Sequence, residues 1–157
     1  MEMKEIIGML KFDRPLIPSL KSIANAGFVE NENCYLFDSL ARNLTNAKST
    51  NFQDCTGYEC FVNSLHVEDY ESDQPLAQGI LLVDEVFCVW KTASPALQLT
   101  AIVSADELTV VVRFHVKRSG EQWLSDDIEG YMDPVMSIDS DDEAVSRMIG
   151  RVPKTKP

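Results

Sequence analysis

Basic residues are scarce in this sequence: 14 Lys and Arg stand against 25 Asp and Glu, which leaves a formal net charge of −11. A surface of that average sign repels phosphates, and no run of Lys or Arg overrides it, so nucleic acid is not the expected partner. Long hydrophobic runs are missing too. No segment approaches the roughly 20 apolar residues that a membrane helix needs. The opening "MEMKEIIGMLKFDRPLIP" has acids among its first residues and a polar residue every few positions, the pattern of neither a signal nor a transit peptide. The expected setting is therefore the cytoplasm, where Cys34, Cys55, Cys60 and Cys88 are expected as free thiols.

The signatures of catalysis are equally thin. There is no Gly-x-Ser-x-Gly elbow, no Gly-rich phosphate loop and no His-Glu-x-x-His. With two histidines, an activated nucleophile has few candidate bases. His66 falls in an expected strand near Glu68. His115 is expected on an outward strand face between Arg113 and Lys117, whose charges disfavour its protonated form. Calcium loops fail on spacing: a frame starting at Asp139 puts Ala144 where an EF-hand needs Gly and Gly150 where it needs Glu. A frame starting at Asp127 brings Gly130 in two positions early. Cys55 and Cys60, with His66 and one of Cys34, Cys88 or His115, lack the second tight pair of a structural zinc site. The expectation is a protein that is not an enzyme and carries no metal or cofactor.

What is present is enough apolar residue, 45%, for one ordinary globular domain. No Pro/Gly/Ser-rich linker divides the chain, so residues 1–150 are expected as a single α+β domain and 151–157 as a loose tail. Three N-terminal helices are expected. "MKEIIGML" stops before Pro15, and "PSLKSIANAG" ends on the capping Gly27. "CYLFDSLARNLTNA" spaces Leu36, Leu40 and Leu44 four apart, with Asn33 as its cap. The period then changes to two. "ECFVNSLHVEDY" reads as a strand, and "QGILLVDEVFCVW" as a buried strand or two turning pieces. "ALQLTAIVS" and "LTVVVRFHVKR" form a hairpin across "SADE". Leu108, Val110, Val112, Phe114 and Val116 share one face of that last strand. Ser140 and Glu143 make a capping-box pattern for a short C-terminal helix. The expected fold is thus helices packed on a mainly antiparallel sheet, a meander, with that helix at the end.

The acids are segregated. Eight lie between Ser49 and Trp90 and nine between Ser119 and Ser146, and neither window contains a Lys or Arg. A surface built only for solubility mixes signs, because pairs across helices and strands favour it. Segregation costs self-repulsion, which a cationic partner offsets. Asp141, Asp142 and Glu143 fall in the expected first turn of a helix and suit its dipole without any partner. The rest of the second window, Glu121, Asp126, Asp127, Glu129, Asp133 and Asp139, is interleaved with Trp123, Tyr131 and Met132, the composition of an interface centre.

In this general plan, with the acidic "GEQWLSDDIEGYMDPVMSIDSDDE" following a β-meander, the chain resembles the immunity proteins of bacterial toxin systems, in particular those paired with contact-dependent growth-inhibition toxins. The resemblance implies a stoichiometric inhibitor of a cognate toxin domain, commonly a cationic nuclease, blocking its active site or substrate groove. Asp126, Asp127, Glu129, Asp133 and Asp139 are then the expected charge contacts and Trp123 and Tyr131 the anchors. Glu68, Asp69, Glu71 and Asp73 form a second candidate surface. A monomer is the favoured oligomeric state. An acidic secretion-effector chaperone and a small enzyme with an open sheet cavity are the alternatives.

Overall fold

The structure is a computed structural model that describes residues 3–42, 49–93, 96–121 and 134–150. It contains helices α1 (Met3–Gly8), α2 (Pro18–Ala26), α3 (Asp38–Ala41), α4 (Cys55–Val62), α5 (Pro75–Ala93) and α6 (Ala144–Met148). The strands are β1 (Phe28–Asn31), β2 (Cys34–Phe37), β3 (Ser64–His66), β4 (Leu99–Ala105), β5 (Val110–Val116) and β6 (Val135–Asp139). Helices packed on antiparallel sheets, closed by a short C-terminal helix, make a mixed α+β fold. The expected tail, 151–157, lies outside the described residues.

The first two helices stand where the sequence puts them. Pro18 opens α2 at a position where the missing N–H is not needed, and Gly27, at φ +74°, ends it with its N–H on the Ala24 carbonyl. The third expected helix is corrected. Cys34–Phe37 is a strand paired with β1, and among the described residues of that segment helix is found over Asp38–Ala41; residues 43–47 lie outside the described residues. Asn33 is no helix cap either: Glu32 and Asn33, both at positive φ, form the two-residue loop between β1 and β2, as that turn geometry requires.

The four-stranded sheet has the order β3-β5-β4-β6, antiparallel throughout. The expected β4–β5 hairpin is its centre. Two segments read as strands are helices. Asp54 accepts the Gly57 N–H (2.8 Å) and caps α4, so the strand of "ECFVNSLHVEDY" shrinks to Ser64–His66. "QGILLVDEVFCVW" lies wholly within α5, which is buried nearly all round from Leu76 to Asp84 and so shows no apolar stripe. This helix packs on the face of the sheet made by Val110, Val112, Phe114, Leu99, Ala101 and Val103. Its approach is close: a methyl at Gly79 would sit 3.3 Å from both Val110 and Val112. One core cluster runs from Met3 to Val145, and a smaller one joins Cys34, Leu36, Tyr58 and Val62.

The opposite sheet face is covered in part, with His66 and Ser137 on it exposed. Ile102, Val111 and His115 are buried there, which corrects the expected outward placement of His115. Ser140 is drawn into the sheet, its Oγ accepting the Leu99 N–H (2.9 Å). The last helix therefore starts at Ala144, whose N–H meets the Asp142 carboxylate. Among the described residues, no helix is long and apolar enough to cross a membrane.

The expectation of four free thiols is overturned as well. Cys34 and Cys55 are joined in a disulfide that ties β2 to the start of α4 across a separation of 21 residues. Closing a loop of that size stabilises a fold by about 3 kcal/mol. Cys60 is outside the disulfide and buried, and burial pushes its thiol up to about 12; Cys88 is outside the disulfide and exposed. A thiol-reactive chromogen added without reductant is therefore expected to titrate one group in the native protein and two after unfolding. Four groups in the unfolded protein would mean that the bond is not formed.

Candidate functional site

The acidic loop that follows β3 is built on Val67, a fully buried residue that starts a 3₁₀ turn over Val67–Asp69. Glu68 turns inward from this anchor. Its Oε1 accepts the Val110 N–H (2.8 Å) at the start of β5, and its Oε2 lies 3.2 Å from the Nδ1 of His66. Glu71 is taken up in the same way. Its Oε1 accepts the Asp73 N–H (3.0 Å), and its Oε2 receives Arg14 (3.4 Å). Arg14 also donates to the Asp73 carbonyl (2.8 Å) and stands 3.6 Å from the Asp73 carboxylate. Of the four candidate acids here, Glu68 and Glu71 are half-buried in the service of the loop, Asp73 is exposed with its carboxylate beside Arg14, and Asp69 is exposed.

Asp139 serves β6. It accepts the Thr100 hydroxyl (2.8 Å) and the Lys117 ammonium (2.7 Å), and that bond to the carboxylate raises the Lys117 pKa above its ordinary value. The two candidate surfaces do not meet. Glu68 sits at the Val110 end of β5, whereas Thr100 and Asp139 lie level with His115 at the other end. Five residues of strand separate them, roughly 16 Å. Trp123, Asp126, Asp127, Glu129, Tyr131 and Asp133 lie outside the described residues.

The histidines are separated as well. His66 is level with Val111 and exposed, while His115 is buried four positions further along β5, its Nδ1 3.0 Å from the Val116 carbonyl oxygen. Among the described residues, no group of three His, Cys, Asp or Glu side chains is placed to hold a metal ion. An apolar groove of about 990 Å³ opens between the end of α1, the start of α5 and the β4–β5 turn, and neither histidine lines it.

The most organised polar cluster was not anticipated. Glu59, with no exposed surface, pairs with Arg118 through two bonds of 2.7 Å. Its Oε1 also accepts the Val116 N–H (2.9 Å) and its Oε2 the Tyr35 N–H (2.6 Å). One turn later on α4, the buried Asn63 amide accepts the Phe37 N–H (2.8 Å) and donates to the carbonyls of Tyr35 (2.9 Å) and Phe114 (3.1 Å). Two side chains of α4 thus connect the backbones of β2 and β5. Every partner is satisfied, so this cluster holds structure and offers no free valence for chemistry. The capping signal Asp54-x-x-Gly57 was the route to it: once Cys55–Val62 is helix, Glu59 and Asn63 share a face.

A family model described as "Uncharacterized protein PM0498 family" matches residues 1–150. The chain is also 30% identical to "Uncharacterized protein PM0498" of Pasteurella multocida (strain Pm70) over 104 residues, 60% of this chain and 66% of that protein. No solved structure matches.

Two expectations follow from the geometry. Glu59→Ala strands Arg118 and two backbone N–H groups, and urea unfolding is expected to show a loss of about 3–5 kcal/mol. Because the carboxylate also serves Val116 and Tyr35, the paired change Glu59→Met with Arg118→Met is expected not to restore stability, as it does for a simple ion pair. For Glu68, burial pushes the pKa up. The Val110 N–H, its own N–H and His66 together outweigh that, leaving the group below the ordinary 4.5. A folded pKa below the unfolded one gives stability present above pH 4.5 and lost as pH falls through the folded value. Glu68→Gln is expected to be less stable than the parent at neutral pH, with the gap closing under acid in unfolding titrations run at each pH.

Proposed function

The chain belongs to the PM0498 family, and we propose that it acts as an immunity protein that binds and neutralises a cationic toxin domain, a nuclease being the class its charge suits best. The observation that carries this reading is how the chain disposes of its own cations. Arg14, Arg42, Lys117, Arg118 and Arg147 are each paired with a carboxylate of the same chain, and a net charge of −11 remains. The base-free window from Ser119 to Ser146 holds much of that excess, and its acids stand among Trp123 and Tyr131. A nuclease presents positive charge to nucleic acid, so carboxylates on an inhibitor take the place of phosphates. Steering between the two raises the association rate toward roughly 10⁸–10⁹ M⁻¹s⁻¹ at low salt. In this role the protein has no catalytic part to play and needs no cofactor.

The cytoplasm is the compartment the role requires, because that is where the nucleic acid lies. A reducing pool opposes the Cys34–Cys55 bond. The role therefore needs a fold that stands without it, and Glu59 and Asn63 already tether the two elements that the bond joins.

The test starts with the tagged protein retrieved from its host and washed at low and then high salt. The expected result is one basic domain, retained at equal stoichiometry, whose nuclease activity is abolished in the complex. Absence of a basic partner at both washes overturns the proposal. With the partner in hand, replacing Asp126, Asp127, Glu129 and Asp133 by Asn or Ser is expected to slow association at least tenfold and flatten its salt dependence. If both survive, the contact lies elsewhere, with Asp69 the next acid to change.

A further inference from the structure

The apolar groove of about 990 Å³ at the β4–β5 end of the molecule has walls that face water. Met9 and Leu10 line it after α1, and Leu108 lines it from the turn. Leu108 is 83% exposed and Met9 64%, the two highest values among the large hydrophobic side chains of the described residues. A small-molecule pocket encloses most of its ligand. Here two of the lining side chains stand out into solvent, so the occupant that covers them is one laid along the surface. The turn keeps its shape without an occupant. Asp106 accepts the N–H groups of Leu108 (2.7 Å) and Thr109 (2.6 Å), and its own N–H donates to the Thr109 carbonyl (2.9 Å).

The rim sets the charge of that occupant. Asp106 and Glu107 lie on the lining, where Lys11 is the one cation among the described residues. The acidic loop after β3 continues the same rim. Glu68 holds the N–H of Val110, a lining residue, and Asp73 precedes Gln74 and Pro75, which line the groove as well. With Asp69 and Glu71 that makes six carboxylates against Lys11 and Arg14, and Arg14 is already engaged by Glu71 and Asp73. A second copy of the chain brings an identical acidic rim and a further charge of −11. An anionic amphiphile or bilayer is repelled in the same way. An uncharged apolar ligand gains nothing from the acids. A segment with an apolar stripe flanked by Lys and Arg satisfies both the groove and its rim. The helix-in-groove mode supplies its form, about three to four apolar side chains on one side of two turns.

We propose that the groove is a docking surface for a basic amphipathic helix of a partner protein, its apolar side on Met9, Leu10 and Leu108 and its flanking cations toward Glu107, Asp69 and Asp73. Salt screens the rim contacts and leaves the apolar burial in place, so the complex weakens with salt without being abolished by it. The inference does not rest on the immunity reading, because any protein that carries such a helix qualifies, and it stands if no toxin is found.

Fluorescence anisotropy on the full chain tests it with three labelled model peptides. The first carries Leu and Lys at helical spacing, the second has the same composition in an order that breaks the stripe, and the third has Glu in place of Lys. The parent is expected to bind the first at least tenfold more tightly than either of the others. Leu108→Asp, a change at an exposed position, adds a negative charge and would strengthen a contact made by charge alone. It is expected instead to weaken binding at least tenfold while melting at the parent temperature. Glu107→Lys is expected to weaken it several-fold. Equal affinity for the first two peptides overturns the proposal, as does indifference to Leu108→Asp. Preference for the Glu peptide overturns it too, and so does dimerisation of the parent that Leu108→Asp abolishes, which gives the groove to a second copy.

Discussion

The buried carboxylate of Glu59 is the interaction on which the arrangement of layers depends. Strand β2 belongs to a two-stranded hairpin, yet it must lie against a four-stranded sheet with which it forms no ladder. Glu59 and Asn63 resolve this by giving α4 the hydrogen-bonding pattern of a strand edge toward both neighbours. A charge with no access to water is tolerable because Arg118 neutralises it and two backbone donors complete its shell. The aromatic cluster depends on the same placement: Phe37 stacks on Phe28 (4.3 Å between centroids) and meets Phe114 edge-on (5.3 Å) only if β2 is held at this distance from β5. The disulfide at Cys34 then clamps a position that hydrogen bonds have already defined.

What the sequence made legible was the part governed by local rules. Gly27 ends α2, and the β-branched run from Val110 to Val116, with Val110, Val112, Phe114 and Val116 on one face, reveals β5 along with its core face. The misread elements are those in which tertiary burial erases the pattern. Helix α5 is enclosed by α2 on one side and the sheet on the other, so "GILLV" is apolar without a stripe and has the composition of a strand. The spacing of Leu36, Leu40 and Leu44 looked like one helix, but it bridges a real break: Phe37 ends a strand and Asp38 begins a helix of one turn. Ser140 was a plausible cap whose hydroxyl has other business, on the Leu99 backbone.

The candidate surface was legible as charge and not as availability. Counting acids identified the loop after β3, but Arg14, which neutralises Glu71, lies 57 residues away, and nothing in the local sequence announces the pair. Glu68 likewise looks like one more surface acid beside Asp69, although it closes the start of β5. A carboxylate on an interface and a carboxylate in a turn are the same residue in a sequence; only the donors around it separate them. The groove went unseen for a related reason, since its walls come from α1, α5 and the β4–β5 turn, which only the fold brings together.

The enclosure of α5 has a consequence for how the protein can change. Its buried faces touch the sheet so closely that a methyl group at Gly79 would press on Val110 and Val112 at 3.3 Å, and its other sides are taken by α2 and α6. Such a helix is a fixed spine: it cannot drift toward a new binding role without unpacking the whole core. The turns and chain connections around it are under no such restraint. Sequence divergence within the family should therefore be slow along Leu76–Trp90 and fast at the rim, where loops can be rebuilt for a new partner while the spine stays as it is.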